Sequence, residues 1–527
     1  MIPPNISSFV TENMSNVDVS AAHGMIDAEI EKLRENIRVL QRYRNELCPV
    51  NRLPRDILLI IFHLLIPKIN IEGRHPGLLT NLLNVTHVSQ RWRLMALESS
   101  GLWSRIACPP LRFAEEMIAR SRDACLEVDV RGNNVKRFLP CLLGQLTRIR
   151  VLAIDLTFRN VGEPTLEELD RPAPLLETLS LLHVVLPRRL FAGQSQKLKQ
   201  VYLRQCAFRW SPELSTLFHN LITLQVNECD VRSSSGLPSL LVILEAMPLL
   251  RKLQLDYPCI PDNPDIATFG PPVVMPSLVS LEFVDSAKEC VQFLEHIIFP
   301  KIQNARFGIH ASYHYDPTES IRPSDFCDTM RKSFQHLQDE QPCVFIDFDF
   351  DTKLCAYTAV PREYPNGFIG EIEPQLQLEI EYWPTFLPEL PRIFHTPYVR
   401  AISLGYSDYP GQEVLGEFLA SFPHVQECTI YRDDVSALLR TLAIPRRNEE
   451  TGMDQLLFPN LKVLSFKHLS NQDLFRDLLN LLEMRFDNGR CQKLTELRIH
   501  RCHGLGPWVL RAFTRFANIV CFYAGPP

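Results

Sequence analysis

Apolar residues near the amino end recur at the spacing of a helix. They are separated by steps of four, three, four, three and seven residues, at Ile26, Ile30, Leu33, Ile37, Leu40 and Leu47. This heptad spacing predicts a helix over residues 25–48 with one apolar seam, which Arg44 interrupts. Two interpretations stay open: a homodimer joined through residues 26–47, or a lone helix that packs on its own chain. Residues 1–24 are polar and are predicted to be disordered.

Two shorter helices are predicted before residue 105. Pro49 ends the heptad helix, and a second helix begins near Pro54 with an apolar stripe at Leu58, Ile61, Phe62 and Leu65. After a polar loop over 67–80, a third helix over 81–97 carries Leu82, Val85, Val88, Trp92 and Leu97. Helices this short are marginal alone, so their large apolar side chains indicate a docking face for another protein. The alternative is that Trp92 and Phe62 form the internal core of a small helical domain.

Beyond residue 120 the pattern becomes a repeat of Leu-x-x-Leu-x-Leu with conservative replacements. Successive copies are mostly 22 to 36 residues apart, and they start at Ile149, Leu176, Leu198, Leu221, Leu250, Leu278, Ile302, Val399, Val425, Leu461 and Leu494. This spacing is near or above that of leucine-rich repeats, in which each unit supplies one strand and an outer helix. The sequence therefore predicts an α/β fold: a small helical domain over 49–105, then an irregular leucine-rich-repeat-like solenoid over 120–527 with parallel strands and outer helices.

The repeat is lost between residues 308 and 395, which predicts an irregular insertion there. Within it, 345–348 and 376–380 are candidate degenerate strands. The aspartate-rich run over 347–351 is interpreted as a strand and turn, because the glycine and distal glutamate of a calcium-binding loop are absent.

Three copies of the repeat motif outside this insertion are followed by a cysteine, at Cys206, Cys229 and Cys502. These thiols are predicted to be buried turn residues, and metal ligation is the alternative.

Composition excludes several classes of function. The net charge of −6 is small for 527 residues and argues against a nucleic-acid binder, and no apolar run reaches the roughly 18 residues of a membrane span. The 15 cysteines include no Cys-x-x-Cys pair and no secretory leader is apparent, which indicates reduced thiols in the cytoplasm, the nucleus or both. Phosphate-loop, zinc-protease and serine-hydrolase motifs are absent, so we expect no enzyme activity, no metal and no cofactor.

The order of motifs over residues 49–104 resembles an F-box, in the form found in large fungal F-box families. The matching positions are Pro49-Val50, Leu53-Pro54, Ile57-Leu58, Ile61-Phe62, Val85, His87-Val88, Arg91-Trp92 and Leu102-Trp103. The segment 67–84 departs from the family because it is longer and more polar than a compact F-box requires. The resemblance implies docking on a Skp-type adaptor of a cullin–RING ubiquitin ligase, through Leu53, Pro54, Ile57, Leu58, Ile61, Val88, Arg91 and Trp92. Trp92 is the expected hot spot, since aromatic anchors dominate such interfaces.

The repeat region would then select the substrate protein of a Skp–cullin–F-box type ligase. Side chains between the apolar positions of the motif point to one face of the sheet, because strand side chains alternate. The candidates for substrate binding are Gln200, Tyr202, Arg204, Gln225, Gln254, Glu282 and Arg306. The alternative for these positions is a solvated strand surface. The alternative for the whole chain is a leucine-rich-repeat interaction scaffold without ligase attachment, dimerised through the heptad helix.

Overall fold

The computed structural model of the chain separates into two compact units, Met1–Phe158 and Arg159–Pro527. It describes residues 19–69, 77–107, 110–131, 135–157, 166, 169–231, 236–256, 270–310, 321–349, 353–359, 373–380, 383–405, 411–431, 436–447, 454–467, 472–486, 493–500 and 511–523. The domain boundaries expected from the sequence, at 49–105 and 120, stay predictions.

The helices of the first unit are α1 (Val19–Glu46), α2 (Arg55–Leu65), α3 (Leu78–His87), α4 (Gln90–Glu98), α5 (Leu111–Ser121) and α6 (Val135–Leu143). The helices of the second unit are α7 (Pro212–Phe218), α8 (Gly236–Glu245), α9 (Ala287–Glu295), α10 (Pro323–Glu340), α11 (Trp383–Phe386), α12 (Gln412–Ala420), α13 (Ser436–Ala443) and α14 (Gln472–Phe486). Helix α1 begins inside the stretch predicted to be disordered, since residues 19–24 continue the helix; residues 1–18 lie outside the described part of the chain.

The strands of the first unit are β1 (Arg105–Ala107), β2 (Leu126–Arg131) and β3 (Ile149–Asp155). The second unit contains β4 (Thr178–Leu182), β5 (Gln200–Arg204), β6 (Ala207–Phe208), β7 (Thr223–Asn227), β8 (Asp230–Val231), β9 (Lys252–Asp256), β10 (Val273–Val274), β11 (Ser280–Asp285), β12 (Ile297–Ile298), β13 (Asn304–Ile309), β14 (Phe345–Asp349), β15 (Lys353–Tyr357), β16 (Leu376–Ile380), β17 (Ala401–Gly405), β18 (Glu427–Tyr431), β19 (Arg446–Arg447), β20 (Asp454–Gln455), β21 (Val463–Lys467), β22 (Leu494–His500) and β23 (Ala517–Tyr523).

In the first unit, α2 packs against α3 and α4. The sequence pattern predicted one helix over 81–97, and this prediction is wrong because the chain turns at Ser89. Its backbone is extended, and its hydroxyl accepts the N–H of Trp92 at 3.2 Å, which caps a new helix. After these helices in the sequence, the strands β1, β2 and β3 form a parallel ladder. Arg105 of β1 connects the ladder to α2: its guanidinium donates to the carbonyl of Ile66 at the end of α2 and pairs with Glu127 of β2.

In the second unit, the predicted repeat is confirmed strand by strand. From the copy at residue 176 to the copy at 461, each strand begins two residues after the first apolar position of its motif. The three apolar positions of each motif are buried, as in Leu221, Leu224 and Val226. Strands β4, β5, β7, β9, β11 and β13 pair in parallel, each with the next. Consecutive helices such as α7 and α8, or α13 and α14, pack on each other, so the architecture is α/β and solenoid-like, as predicted.

The irregular insertion contains strands at both predicted places, but their order was not foreseen. From β13 the sheet continues to β16, which pairs in parallel, then to β15 and β14, and then to β17. Strand β15 is antiparallel to both of its neighbours. After β13 the chain forms α10 and enters the sheet at β14, beside β17. It returns through the hairpin of β14 and β15, so β16, β15 and β14 lie between β13 and β17 in the reverse of their order along the chain. Asp347 and Asp349 lie on β14, as the strand interpretation predicted, and residues 350–352 lie outside the described residues.

Two of the three repeat cysteines are buried in turns, as predicted. Cys206 and Cys229 follow Gln205 and Glu228, whose φ angles of 49° and 51° turn the chain at the end of a strand. The backbone N–H of Cys206 donates to Sγ of Cys229 at 3.4 Å, so the turns of consecutive repeats are joined. The third, Cys502, lies outside the described residues.

Candidate docking surfaces

Helix α2 is apolar on two faces, and only one of them is covered by its own unit. Leu58, Phe62 and Ile66 are at most 1% exposed and form the inner face of the helix and its end. Ile57, Ile60 and Leu64 are 44%, 55% and 79% exposed. The last three positions are separated by three and four residues, so they form one continuous stripe along the helix. We call Ile57, Ile60 and Leu64 the α2 ridge.

Two of the predicted anchors belong to the interior rather than to this ridge. Leu58 is fully buried, and Trp92 is 9% exposed. The ring of Trp92 packs on Phe62 with 4.7 Å between centroids, and its Nε1 donates to Oδ1 of Asn51 at 2.9 Å. The structure therefore contains the small internal core of the alternative interpretation, with Trp92 packed on Phe62. The predicted role of Leu58 and Trp92 in binding a partner stays a prediction.

The remaining predicted anchors lie at or near the surface of the same unit. Pro54 is exposed at the start of α2, Leu53 and Ile61 are half-buried, and Val88 is exposed between α3 and α4. The exposed guanidinium of Arg91 donates to the carbonyls of Asn51 and Leu53. Arg91 therefore fixes the turn that leads into α2, whereas the binding role predicted for these residues stays a prediction.

Sequence reasoning missed Ile60 and Leu64, the two most exposed members of the ridge. The signal was present, because residues 57–62 are six consecutive apolar positions. In a helix, such a run makes every face apolar, and a short helix at a surface cannot bury all of them. The periodicity alone does not say which stripe faces inward, so the predicted anchors include both the exposed Ile57 and the buried Leu58.

In the second unit, the structure brings the predicted substrate-binding positions together in one row. Tyr202, Gln225, Gln254, Glu282 and Arg306 are successive partners in the parallel register from β5 to β13. Gln200 and Arg204 lie on β5, two residues before and two residues after Tyr202. Of the seven predicted residues, Arg204 is exposed and the other six are half-buried. We call Tyr202, Gln225, Gln254, Glu282 and Arg306 the polar row. Their role in binding a substrate stays a prediction.

The charged end of the polar row is a network of ion pairs. Arg306 pairs with Glu282 on β11 and, at 2.8 Å, with Glu379 on β16. Glu379 was not among the predicted residues, because the neighbour of β13 in the sheet is 73 residues further along the chain. Burial raises the pKa of Glu282 and that of Asp256 on the next strand, and the charge of Glu228 raises that of Asp256 further.

The described residues contain neither a metal-binding cluster nor a membrane-spanning helix. Within them, no three His, Cys, Asp or Glu side chains lie close enough together to hold a metal ion. No helix in the same part of the chain is long and apolar enough to cross a membrane.

Comparison with known proteins finds a family match over the part of the chain that contains the α2 ridge. Residues 50–109 match the protein family described as F-box-like, and this range includes the whole α2 ridge. No curated protein sequence matches the chain. Among solved structures, the chain is similar to a leucine-rich-repeat protein of Leptospira interrogans, with 14% identity, a TM-score of 0.33, and coverage of 85% of this chain and 100% of that one. It is also similar to an internalin of Listeria monocytogenes, with 11% identity, a TM-score of 0.23, and coverage of 67% and 82%.

Proposed function

We propose that the chain is the substrate-recognition subunit of a Skp–cullin–F-box type ubiquitin ligase, similar to those of the fungal F-box families. F-box-like domains typically bind a Skp-type adaptor, and the match over 50–109 coincides with the exposed α2 ridge. In this proposal the α2 ridge docks on the adaptor, which links the chain to a cullin–RING ligase. The polar row holds an unidentified substrate protein. The complex would work in the cytoplasm, the nucleus or both.

The observation that carries the proposal is the apolar stripe left open on α2. Burying apolar surface contributes about 25 cal/mol per Å², so three large exposed side chains on one stripe favour a partner over water. An amphipathic helix laid into an apolar groove is the corresponding mode of recognition. Leu53, Ile61 and Val88 would extend the contact, whereas Arg91 would act by holding the turn before α2.

The chain itself would carry out no bond chemistry in this role. F-box and leucine-rich-repeat proteins are generally adaptors or scaffolds rather than enzymes, and the F-box-like match over 50–109 supports a role of this kind. The contribution to ubiquitin transfer would be geometric. Holding a target beside a charged ubiquitin-conjugating enzyme raises the effective concentration of the reacting groups.

The test is capture of a Skp-type adaptor by the full chain after co-expression. We expect the double variant Ile57→Asp/Leu64→Asp to lose capture, because each aspartate places a charge in the apolar contact. The matched control is Leu249→Asp, which makes the same chemical change at an exposed leucine of the second unit. The unaltered chain, the double variant and the control should have the same melting temperature. An adaptor that fails to bind the unaltered chain, or that binds the double variant equally well, would contradict the proposal.

The second candidate is a repeat-protein scaffold without ligase attachment, dimerised through residues 26–47. The observation in its favour is that the seam of α1 is exposed along most of its length. Such a scaffold would also bind its partner through the polar row, but it would not need a Skp-type adaptor. If the unaltered chain does not capture the adaptor and has a dimeric mass in solution, this second function is favoured.

A further inference from the structure

Helix α1 carries an apolar seam that its own unit leaves uncovered. The helix has 28 residues and is therefore about 42 Å long. Four of its seam residues, Ile30, Leu33, Ile37 and Leu40, are between 40% and 67% exposed, and Leu47, one residue past the end of the helix, is 73% exposed. A stripe of this length that stays in water opposes solubility, so a partner of matching length is expected to cover it.

Charged residues beside and opposite the seam of α1 form ion pairs within the helix. Arg38 pairs with Glu31 at 3.2 Å and with Glu35 at 3.0 Å, and Arg34 pairs with Glu31 at 3.3 Å. These ion pairs between neighbouring turns are typical of a solvated helix surface. The seam and the charged face together give α1 the pattern of a coiled-coil strand rather than of a helix buried in a globular core.

The choice of apolar residue in the seam indicates how many strands the coil has. With heptad positions a and d on the seam, Ile30 and Ile37 occupy a and Leu33 and Leu40 occupy d, whereas Leu47 would be the next d position but lies just past the helix. Branched isoleucine at a with leucine at d favours two parallel strands over three or four. Ile26 at a d position is the exception. Arg44 occupies the next a position, and a single polar residue at a fixes register and strand number at some cost in stability.

Charges beside the seam favour the same arrangement. Glu29 occupies position g, and Arg34 occupies position e of the following heptad. In a parallel, in-register pair, g of one helix lies beside this e of the other, so two Glu29–Arg34 pairs form by symmetry. Within one helix, Glu29 contacts Lys32 at 3.6 Å and Arg34 contacts Glu31, and such surface pairs exchange partners at little cost.

We infer that α1 pairs with α1 of a second copy of this chain, in a parallel, in-register two-stranded coiled coil. This dimer does not depend on the proposed ligase role, but it would extend it. Helix α1 ends at Glu46, and the turn that leads into α2 begins at Pro49. Parallel pairing therefore brings two F-box-like modules to the same end of the coil. Two linked adaptor sites would then bind a dimeric or surface-bound adaptor with avidity.

The first experiment measures the mass of the full chain in solution by sedimentation. We expect twice the 60.6 kDa of one chain, and the mass of one chain for the variant Leu33→Asp/Leu40→Asp. The matched control is Leu249→Asp, which should remain a dimer. A monomeric mass for the unaltered chain, or a dimer that survives the double substitution, would overturn the inference.

The second experiment tests orientation and register. In a parallel coil, equivalent d positions face each other closely enough for a disulfide, so Leu40→Cys should form a covalent dimer on mild oxidation. Arg42→Cys, on the outer face, and the unaltered chain, which has an exposed Cys48, are the controls and should not. A dimer that Leu40→Cys fails to cross-link would refute the parallel, in-register arrangement.

A third measurement checks the charge pairs without altering the seam. Arg34→Glu should weaken dimer affinity about five-fold, because two attractive pairs become repulsive. The exchange Glu29→Lys/Arg34→Glu should restore the affinity, since it reverses both charges. An exchange variant as weak as the single variant would show that Glu29 and Arg34 are not partners across the dimer.

Discussion

The two units leave different kinds of side chain uncovered. In the first unit the α2 ridge is apolar, whereas in the second unit the polar row is hydrogen-bonding and charged. The contrast arises from packing. Side chains of the repeat strands alternate, so the apolar positions of the motif are buried and the position between the last two of them is polar from Ser180 to Arg498. A helix that is apolar all round buries one stripe and leaves another open.

In the proposed function, this difference would give the chain two modes of binding. A partner of the α2 ridge gains free energy by removing apolar surface from water, and its affinity should depend little on salt. A partner of the polar row must replace water around Glu282 and Arg306, which already pair with each other, so it gains more in specificity than in affinity. The first mode suits a constant adaptor, and the second suits a selected substrate.

The sharpest way to separate inner and outer faces of α2 is to shorten one side chain on each. Phe62→Ala should lower the free energy of unfolding of the first unit by about 3–5 kcal/mol, because it opens a cavity beside Trp92. Ile60→Ala on the ridge should change it by less than about 0.5 kcal/mol. Denaturant titration followed by tryptophan fluorescence measures both, and similar values for the two variants would contradict the assignment of the faces.

Substitution of Trp92 distinguishes a core residue from a partner-binding anchor. Trp92→Ala should destabilise the first unit by about 3 kcal/mol and reduce adaptor capture through unfolding. Trp92→Phe keeps an aromatic ring against Phe62 and loses the hydrogen bond to Asn51, which costs about 1 kcal/mol. We expect Trp92→Phe to retain adaptor capture in a pull-down. Loss of capture by a folded Trp92→Phe protein would restore the anchor that the sequence predicted.

A smaller effect is expected at the charged end of the polar row. Arg306→Gln leaves two half-buried carboxylates, Glu282 and Glu379, facing each other without their cation. The cost should be about 1 kcal/mol in low salt, since Arg306 is partly exposed, and it should shrink as salt screens the repulsion. Thermal unfolding at two salt concentrations measures it. A loss that is the same in both would indicate a packing effect instead.

The smallest effect should come from Asp256, and it should depend on pH. Because burial and the charge of Glu228 raise the pKa of Asp256 in the folded chain, its ionisation opposes folding above the pKa of the unfolded state. That loss of stability is absent at low pH and grows as the pH rises through the raised pKa. Asp256→Asn should therefore slightly raise the melting temperature at pH 7 and leave it unchanged near pH 3. A gain that is larger at pH 3 would contradict the assignment.

Much of the second unit follows from the sequence, because its motif fixes both the strand and the buried face. Leu221, Leu224 and Val226 have one arrangement in which all three are buried, and the structure has it. The hairpin of β14 and β15 did not follow, since the run 353–357 carries no copy of the motif and strand direction leaves no mark on periodicity. Spatial neighbours distant in sequence, such as Arg306 and Glu379, are equally invisible in a pattern.

In the first unit the sequence predicted the helices better than their orientation. The break at Ser89 had a signal, since serine is a favoured N-cap residue, but the apolar pattern runs through it. The anchors predicted on α2 fall on both of its apolar stripes. Ile57 lies on the ridge and Leu58 in the core, although they are adjacent and chemically alike. Only the positions of α3 and α4 decide between them.

The most direct test of the proposed docking surface is a residue-level footprint of the Skp-type adaptor on the full chain. Hydroxyl-radical labelling oxidises exposed side chains, and mass spectrometry reports the loss of labelling on binding. We predict strong protection of Ile57, Ile60 and Leu64 by the adaptor, and unchanged labelling of the exposed control Leu249. A bound adaptor that leaves the α2 ridge as reactive as in the free chain would contradict the account.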